Sequence, residues 1–253
     1  MNRTQIHWFQ GDSLPPHNLL LEALPGVGNV GKIIIDALVT RHDSTLLAWV
    51  IHPDYPPHAT LDKNGFLAPP RLEIHSVSTP DGKVVITICG TVQPLTPTGQ
   101  FEVATALLEL INKSNSPLLL ILAGLAAEVT NDMVHLVCMD DTVKTELAKK
   151  GLDASTEEPR AGVIGTNALL ASLAPMNGVR AACAVAETMG TAVDGQAAGR
   201  LVEWLESGFD IQLDVPVDTT TELADRIRRD LEIDQRDLEF LLGESDPTPE
   251  FYV

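Results

Sequence analysis

The sequence predicts a three-layer α/β fold in which helices cover both faces of a mixed, mostly parallel sheet. Two observations support this prediction. Short apolar runs of the length of buried strands alternate with segments of helical periodicity through most of the 253 residues. One pair of runs is joined by the tight turn Thr79-Pro80-Asp81-Gly82, which is typical of an antiparallel hairpin and makes the sheet mixed.

The individual elements follow from periodicity and from the residues that begin and end helices. The first strand, helix and second strand predict a right-handed βαβ unit. The proline-rich stretch 52–70 predicts a long surface loop or a small hairpin. The predicted strands are 17–24, 44–51, 72–78, 83–89, 117–122, 134–139 and 179–186, and the predicted helices are 29–40, 96–111, 142–150, 168–173, 194–205 and 219–242.

These elements predict one α/β domain at residues 1–242, which includes the C-terminal helices at 219–242. Residues 243–250 are polar and interrupted by two prolines, so they are not expected to join a core. We therefore expect a flexible tail at 243–253.

Composition excludes several classes of partner. The formal net charge of −18 repels nucleic acid backbones and anionic lipid surfaces, so neither is an expected partner. The chain has no apolar run near the roughly 18 residues that span a bilayer and begins without the apolar region of a secretory signal. We expect a cytoplasmic protein in which Cys89, Cys138 and Cys183 are buried free thiols.

A glycine motif lies between the first predicted strand and helix. Gly26, Gly28 and Gly31 match the G-x-G-x-x-G pattern that binds dinucleotide phosphates at a helix N-terminus. The alternative is a tight turn that lets the helix pack closely on the strand. After residue 51 the chain enters a proline-rich loop and a hairpin instead of another parallel crossover, which favours the tight turn.

No metal site or cofactor is expected. His52, Asp54 and His58 are close in sequence, but no fourth ligand is near and no helix places the two histidines on one face. This stretch is better interpreted as a proline-rich interaction loop.

A small-ligand crevice is a second hypothesis. Asn29, Asn167 and Glu187 each follow a predicted strand, on the side of an α/β sheet where ligands bind. The alternative is that the asparagines satisfy turn backbone and Glu187 caps the next segment. Since no nucleophile elbow, Walker or H-E-x-x-H pattern is present, the sequence predicts no catalytic residue and no enzyme activity.

The last three residues, Phe251-Tyr252-Val253, offer an apolar ring, a hydroxyl and a terminal carboxylate. This combination suits a preformed pocket that contains a lysine. The alternative is a frayed end without function.

Three motifs carry a family resemblance. Leu24–Gly31, Gly162–Asn167 and Ala186–Thr188, in this order and at this spacing, resemble archaeal members of the proteasome assembly chaperone family. The resemblance extends from about Leu19 to Leu231. It implies an α/β core similar to that of nucleoside phosphorylases.

The resemblance also implies a function for the tail. Phe251-Tyr252-Val253 is similar to the hydrophobic-Tyr-X (HbYX) motif with which proteasome activators dock between α-subunits of the core particle, where the carboxylate of Val253 would pair with a pocket lysine. Several tethered tails would bind more tightly than one, so we expect a homo-oligomer, a tetramer first and a pentamer second.

Overall fold

The computed structural model describes residues 2–61, 65–127, 133–159, 162–190 and 192–215. These residues form ten strands and five α-helices. The strands are β1 Gln5–Trp8, β2 Leu19–Ala23, β3 Asp43–Ile51, β4 Thr60–Leu61, β5 Leu67–Ala68, β6 Leu72–Ser78, β7 Val84–Gly90, β8 Leu119–Ala126, β9 Val134–Cys138 and β10 Ala181–Thr188. The helices are α1 Val30–Arg41, α2 Pro97–Lys113, α3 Asp141–Ala148, α4 Gly165–Leu173 and α5 Gly195–Phe209.

Eight strands form one mixed sheet in the order β1-β3-β6-β7-β2-β8-β10-β9. The four central strands β7, β2, β8 and β10 are parallel to their neighbours in this group. The other pairings are antiparallel, including the predicted β6–β7 hairpin, whose turn is closed by the Thr79 amide donating to the Lys83 carbonyl at 2.9 Å. The predicted mixed, mostly parallel sheet is therefore confirmed.

The position of β3 differs from the prediction. It runs in the same direction as β2, but β6 and β7 lie between the two strands, so β2 and β3 are not neighbours. The burial of β7 explains this order, because Val85 to Cys89 are all buried and require cover on both faces. By contrast, β3 has a half-buried pattern that suits a more peripheral strand.

β1 was not predicted. This strand of four residues alternates between exposed and half-buried positions and pairs antiparallel with β3 at the edge of the sheet. The segment is short and half of its residues are polar, so the sequence pattern alone does not identify it as a strand. Its pairing with β3 defines it. The proline-rich loop carries the small hairpin β4–β5, as predicted.

Helices cover both faces of the sheet and divide the core into two layers. On the face that we call the α1 face, α1, α3 and α5 pack on alternate strand residues, and on the opposite, α2 face, α2 and α4 pack on the others. The α1 face includes Leu21, Leu120, Ala184, Ile34 and Leu201, and the α2 face includes Leu20, Ile88, Ile121, Leu107 and Leu170.

The predicted helices at 219–242 and the predicted tail at 243–253 lie outside the described residues. Cys89 and Cys183 are buried and Cys138 is half-buried, and all three are free. Within the described ranges, no helix is long and apolar enough to cross a membrane.

Candidate functional site

The predicted glycine loop connects β2 to α1 at the edge where the central parallel strands end, which we call the carboxyl edge. Gly31 lies in the first turn of α1, and a Cβ atom built there would lie 2.6 Å from the carbonyl oxygen of Leu122 and 2.7 Å from Cβ of Ala23. Only glycine permits this approach of the helix to β2 and β8.

The middle of the loop is also packed against protein. Gly28 has a φ of 66°, and a Cβ atom there would lie 2.8 Å from Oγ1 of Thr188 at the end of β10. The carbonyl of Gly28 accepts the amide of Asp194 at 2.9 Å, and Gly124 of β8 abuts the carbonyl of Val27. These contacts favour the tight-turn interpretation of the motif over phosphate binding.

Asn29 is the N-cap of α1, in the left-handed conformation with φ 48°. Its Nδ2 donates to the carbonyl of Ala192 at 2.8 Å, so it ties the glycine loop to the segment before α5. Oδ1 of Asn29 is buried and has no hydrogen-bond partner among the described residues.

The second glycine turn was predicted to precede a helix at Ala168, but α4 already begins at Gly165. Asn167 therefore lies in the first turn of a helix and not in a loop. Its Oδ1 and the Oγ1 of Thr166 are buried without a hydrogen-bond partner in the described part of the chain.

Glu187 was predicted to follow a strand and, in the structural alternative, to cap the next segment. It lies inside β10, because pairing with β8 continues to Thr188. Its Oε1 is 3.0 Å from Nε2 of His135 on β9, whose Nδ1 is 3.4 Å from Oγ of Ser155. The cap of α5 is Asp194, whose Oδ1 accepts the amide of Ala197 at 2.9 Å.

Gln93, which was not singled out from the sequence, joins the two glycine turns. Its Nε2 donates to the carbonyl of Pro25 at 3.0 Å, and its Oε1 accepts the amide of Thr166 at 3.2 Å. The structure thus brings the turn at 26–31 and the start of α4 together at the carboxyl edge. A glutamine in a short loop has no distinguishing sequence signal, since its partners are distant in the chain.

We expect Gln93→Met to lower the free energy of unfolding by about 1 to 2 kcal/mol, because both hydrogen bonds are lost. Amide hydrogen exchange at Thr166 should accelerate in the same variant. The control is Gln100→Met, which removes one local bond to the carbonyl of Pro94 and should leave Thr166 exchange unchanged. Equal exchange at Thr166 in both variants would contradict the bridging role.

Glu22 is a second residue that the sequence analysis missed. It points to the α2 face from the middle of the sheet, where its register partners Ile88 and Ile121 are fully buried. The side chain has no exposed surface, and neither carboxyl oxygen has a hydrogen-bond partner among the described residues. Burial raises the pKa of Glu22 to about 8. The sequence signal that could have identified it is a single acidic residue inside an otherwise apolar strand.

The histidine and aspartate of the proline-rich loop have structural partners. Nε2 of His52 is 2.9 Å from Oε2 of Glu102, and its Nδ1 accepts the amide of Asp54 at 3.1 Å. Asp54 accepts the Thr96 amide at 2.7 Å, just before α2. In the described ranges, no group of three or more acidic, histidine or cysteine residues is arranged to hold a metal ion.

Solved structures with the same fold come from several organisms. The chain is similar to PbaB of Pyrococcus furiosus, an archaeal proteasome activator, with TM-score 0.72 and 20% identity over 93% of this chain and 99% of that chain. It is also similar to Pyrococcus furiosus PbaA, an archaeal homolog of proteasome-assembly chaperone, with TM-score 0.68 and 21% identity over 95% and 97% of the two chains. At these identities the similarity shows the fold.

Sequence comparison identifies the family. An uncharacterized protein of Methanocaldococcus jannaschii is 27% identical over 187 residues, which are 73% of this chain and 71% of that protein. The sequence profile of the PAC2 family matches residues 20–233, which include both glycine turns and β10. The chain therefore belongs to the PAC2 family.

Proposed function

We propose that this protein is a proteasome assembly chaperone or activator-like factor that docks Phe251-Tyr252-Val253 into pockets between α-subunits of the proteasome core. In this role the PAC2 domain carries the tail and needs no catalytic residue or cofactor, and the protein acts in the cytoplasm. The proposal requires Val253 to be the C-terminal residue of the mature protein.

The observation that carries the proposal is the combination of fold and tail. PbaB, which is described as a proteasome activator, aligns over 99% of its own length with this chain. The terminal residues then supply a carboxylate for a pocket lysine, a hydroxyl for a hydrogen bond and an aromatic ring for burial.

The tail has sufficient reach. Residues 243–250 span about 16 Å r.m.s. as a flexible chain and about 27 Å at full extension, enough to enter a pocket from a domain that rests on the ring. One tripeptide binds weakly, whereas several tails on one homo-oligomer act at an effective concentration of about a millimolar after the first has docked. We therefore propose an oligomer, a tetramer first and a pentamer second.

The proposal predicts that Tyr252→Ala, or deletion of 251–253, lowers the affinity for isolated α-subunit rings by at least about tenfold, or about 1.4 kcal/mol. Binding is measured by surface plasmon resonance at fixed salt, and native mass confirms that the oligomer is unchanged. The control is Thr248→Ala in the same tail, which should bind like the unmodified protein. If the deletion binds with unchanged affinity, the docking proposal is wrong.

A small-ligand site at the carboxyl edge is the second candidate function. The observation that favours it is the set of buried oxygens without a partner in the described residues, Oδ1 of Asn29, Oγ1 of Thr166 and Oδ1 of Asn167. These atoms would accept hydrogen bonds from a nucleoside-type ligand near Gly26, Gly28 and Glu187. A thermal-shift screen with nucleosides and nucleotides, repeated on Asn167→Leu, tests it, since a site-specific ligand stabilises only the unmodified protein.

A further inference from the structure

The outer strands β6, β3 and β1 form a strip on the α1 face that α1, which packs mainly on the central strands, contacts only weakly. The side chains of Trp49 and Glu73 are on the α1 face, because register pairs them with Cys89 of the α1-side core. α1 packs chiefly on β2, β7 and β8, and the close backbone contacts of β1 are mainly with β3. We call this surface the outer strip.

The outer strip carries aromatic side chains that are partly exposed. Phe9 is 46% exposed, and its ring meets that of Trp49 edge to face at 4.8 Å between centroids. The guanidinium of Arg71 lies 4.4 Å from the Trp49 ring on the same strip. Nε1 of Trp49 is buried and lacks a hydrogen-bond partner among the described residues. Such a surface suits an amphipathic segment that brings apolar side chains.

The dimensions of the strip match one helix. Three strands are about 10 Å across from axis to axis, close to the 10 to 12 Å diameter of a helix with its side chains. The nine residues of β3 give the strip a length of about 30 Å. A cavity of about 530 Å³, lined by residues 2–5, Ile51 and Pro53, adjoins its far end.

The described chain ends beside this strip. The carbonyl of Leu213 is 2.6 Å from Nε2 of His42, and Arg41 pairs with Asp214 at 3.6 Å. His42 immediately precedes β3, so Val215 lies next to the start of this strand. Residue 216 onward therefore begins at the near end of the strip, on its α1 side.

We propose that residues 219–242 bind the outer strip of the same chain as an amphipathic helix. Leu223, Ile227 and Leu231 recur at the spacing of one helical face, and a helix over 219–242 would be about 36 Å long, slightly longer than the strip. Residues 216–218 connect Val215 to the helix, which runs along β3 and ends at the carboxyl edge. Residues 243–253 then leave the domain at that edge, whatever they bind.

The test uses the full chain with Trp49 as its single tryptophan, prepared by Trp8→Phe and Trp204→Phe. Ile227→Asp should shift Trp49 emission to the red and raise its acrylamide quenching severalfold, because a buried aspartate displaces the helix. Arg229→Gln is the control, since it also lowers the charge by one but lies on the opposite helical face. It should leave both signals unchanged.

Limited trypsin digestion of the unmodified protein is the second measurement, so the test does not depend on one variant. Docking should slow cleavage at Arg226, Arg228 and Arg229 in the full chain relative to a synthetic peptide of residues 216–242, in which the same bonds are accessible. Unchanged Trp49 signals in Ile227→Asp, together with equal cleavage rates, would overturn the proposal. Trp49 protection that falls on dilution, in parallel with native mass, would also overturn it, because a second copy would then cover the strip.

Discussion

Replacement of Glu22 by Met is expected to raise the free energy of unfolding by about 3 kcal/mol more at pH 7 than at pH 4.5. The carboxyl group has its ordinary pKa of 4.5 in the unfolded chain and a pKa of about 8 in the folded protein, where burial raises it. Between these values the folded state binds more protons than the unfolded state. Its stability therefore decreases as pH rises.

The Met side chain has a similar volume and no polar atom, so it removes both the titration and the unsatisfied oxygens. Burial, with a smaller contribution from the charge of Glu22, raises the pKa of the Cys183 thiol to about 12. The thiol therefore stays neutral between pH 4.5 and pH 8.5. Urea unfolding at intervals from pH 4.5 to pH 8.5 provides the measurement. The two stability curves should diverge with pH, and parallel curves would show that Glu22 is not buried as an isolated acid.

Glu22→Gln separates the two contributions. The amide does not titrate, so the pH dependence should disappear, but a buried polar group remains and the gain in stability should be smaller than with Met. Exposed Glu109→Gln is the matched control for a change of one charge and should alter the pH profile little. No contact in the described structure compensates for the burial of Glu22.

Replacement of Gly31 by Ala is expected to lower the free energy of unfolding by about 3 kcal/mol, the upper range for overpacking in a core. In an ordinary helix the change from Gly to Ala would raise the free energy of unfolding by up to about 1 kcal/mol. A decrease would therefore show the steric effect at this position. The new methyl group would meet the carbonyl of Leu122, which cannot move without displacing β8 from its pairing with β10.

Gly26→Ala is the matched control in the same loop. Its backbone is extended, with φ −167°, and the nearest atom to a new Cβ is the Leu24 carbonyl oxygen at 3.8 Å. This variant should change stability by less than about 0.5 kcal/mol. Similar losses in both variants would contradict a packing role that is specific to Gly31.

The carboxyl edge shows where sequence patterns were insufficient. The two glycine turns were recognised from the sequence, and the structure places them at one edge of the sheet, close to the end of β10. The partners of these residues were not predicted, since Gln93 reaches Pro25 and Thr166 across long separations in sequence. Asn167 and Glu187 were placed in loops because strand and helix ends depend on neighbouring elements as well as on local preference.

The sequence by itself determined the α/β class, the hairpin at Thr79–Gly82 and the glycine positions, because periodicity and turn chemistry are local properties. Only the tertiary structure decided that the hairpin lies between β2 and β3, that β1 exists and that Glu22 is buried without a partner. Strand order and side-chain burial depend on long-range pairing, and similar local patterns are compatible with several such arrangements.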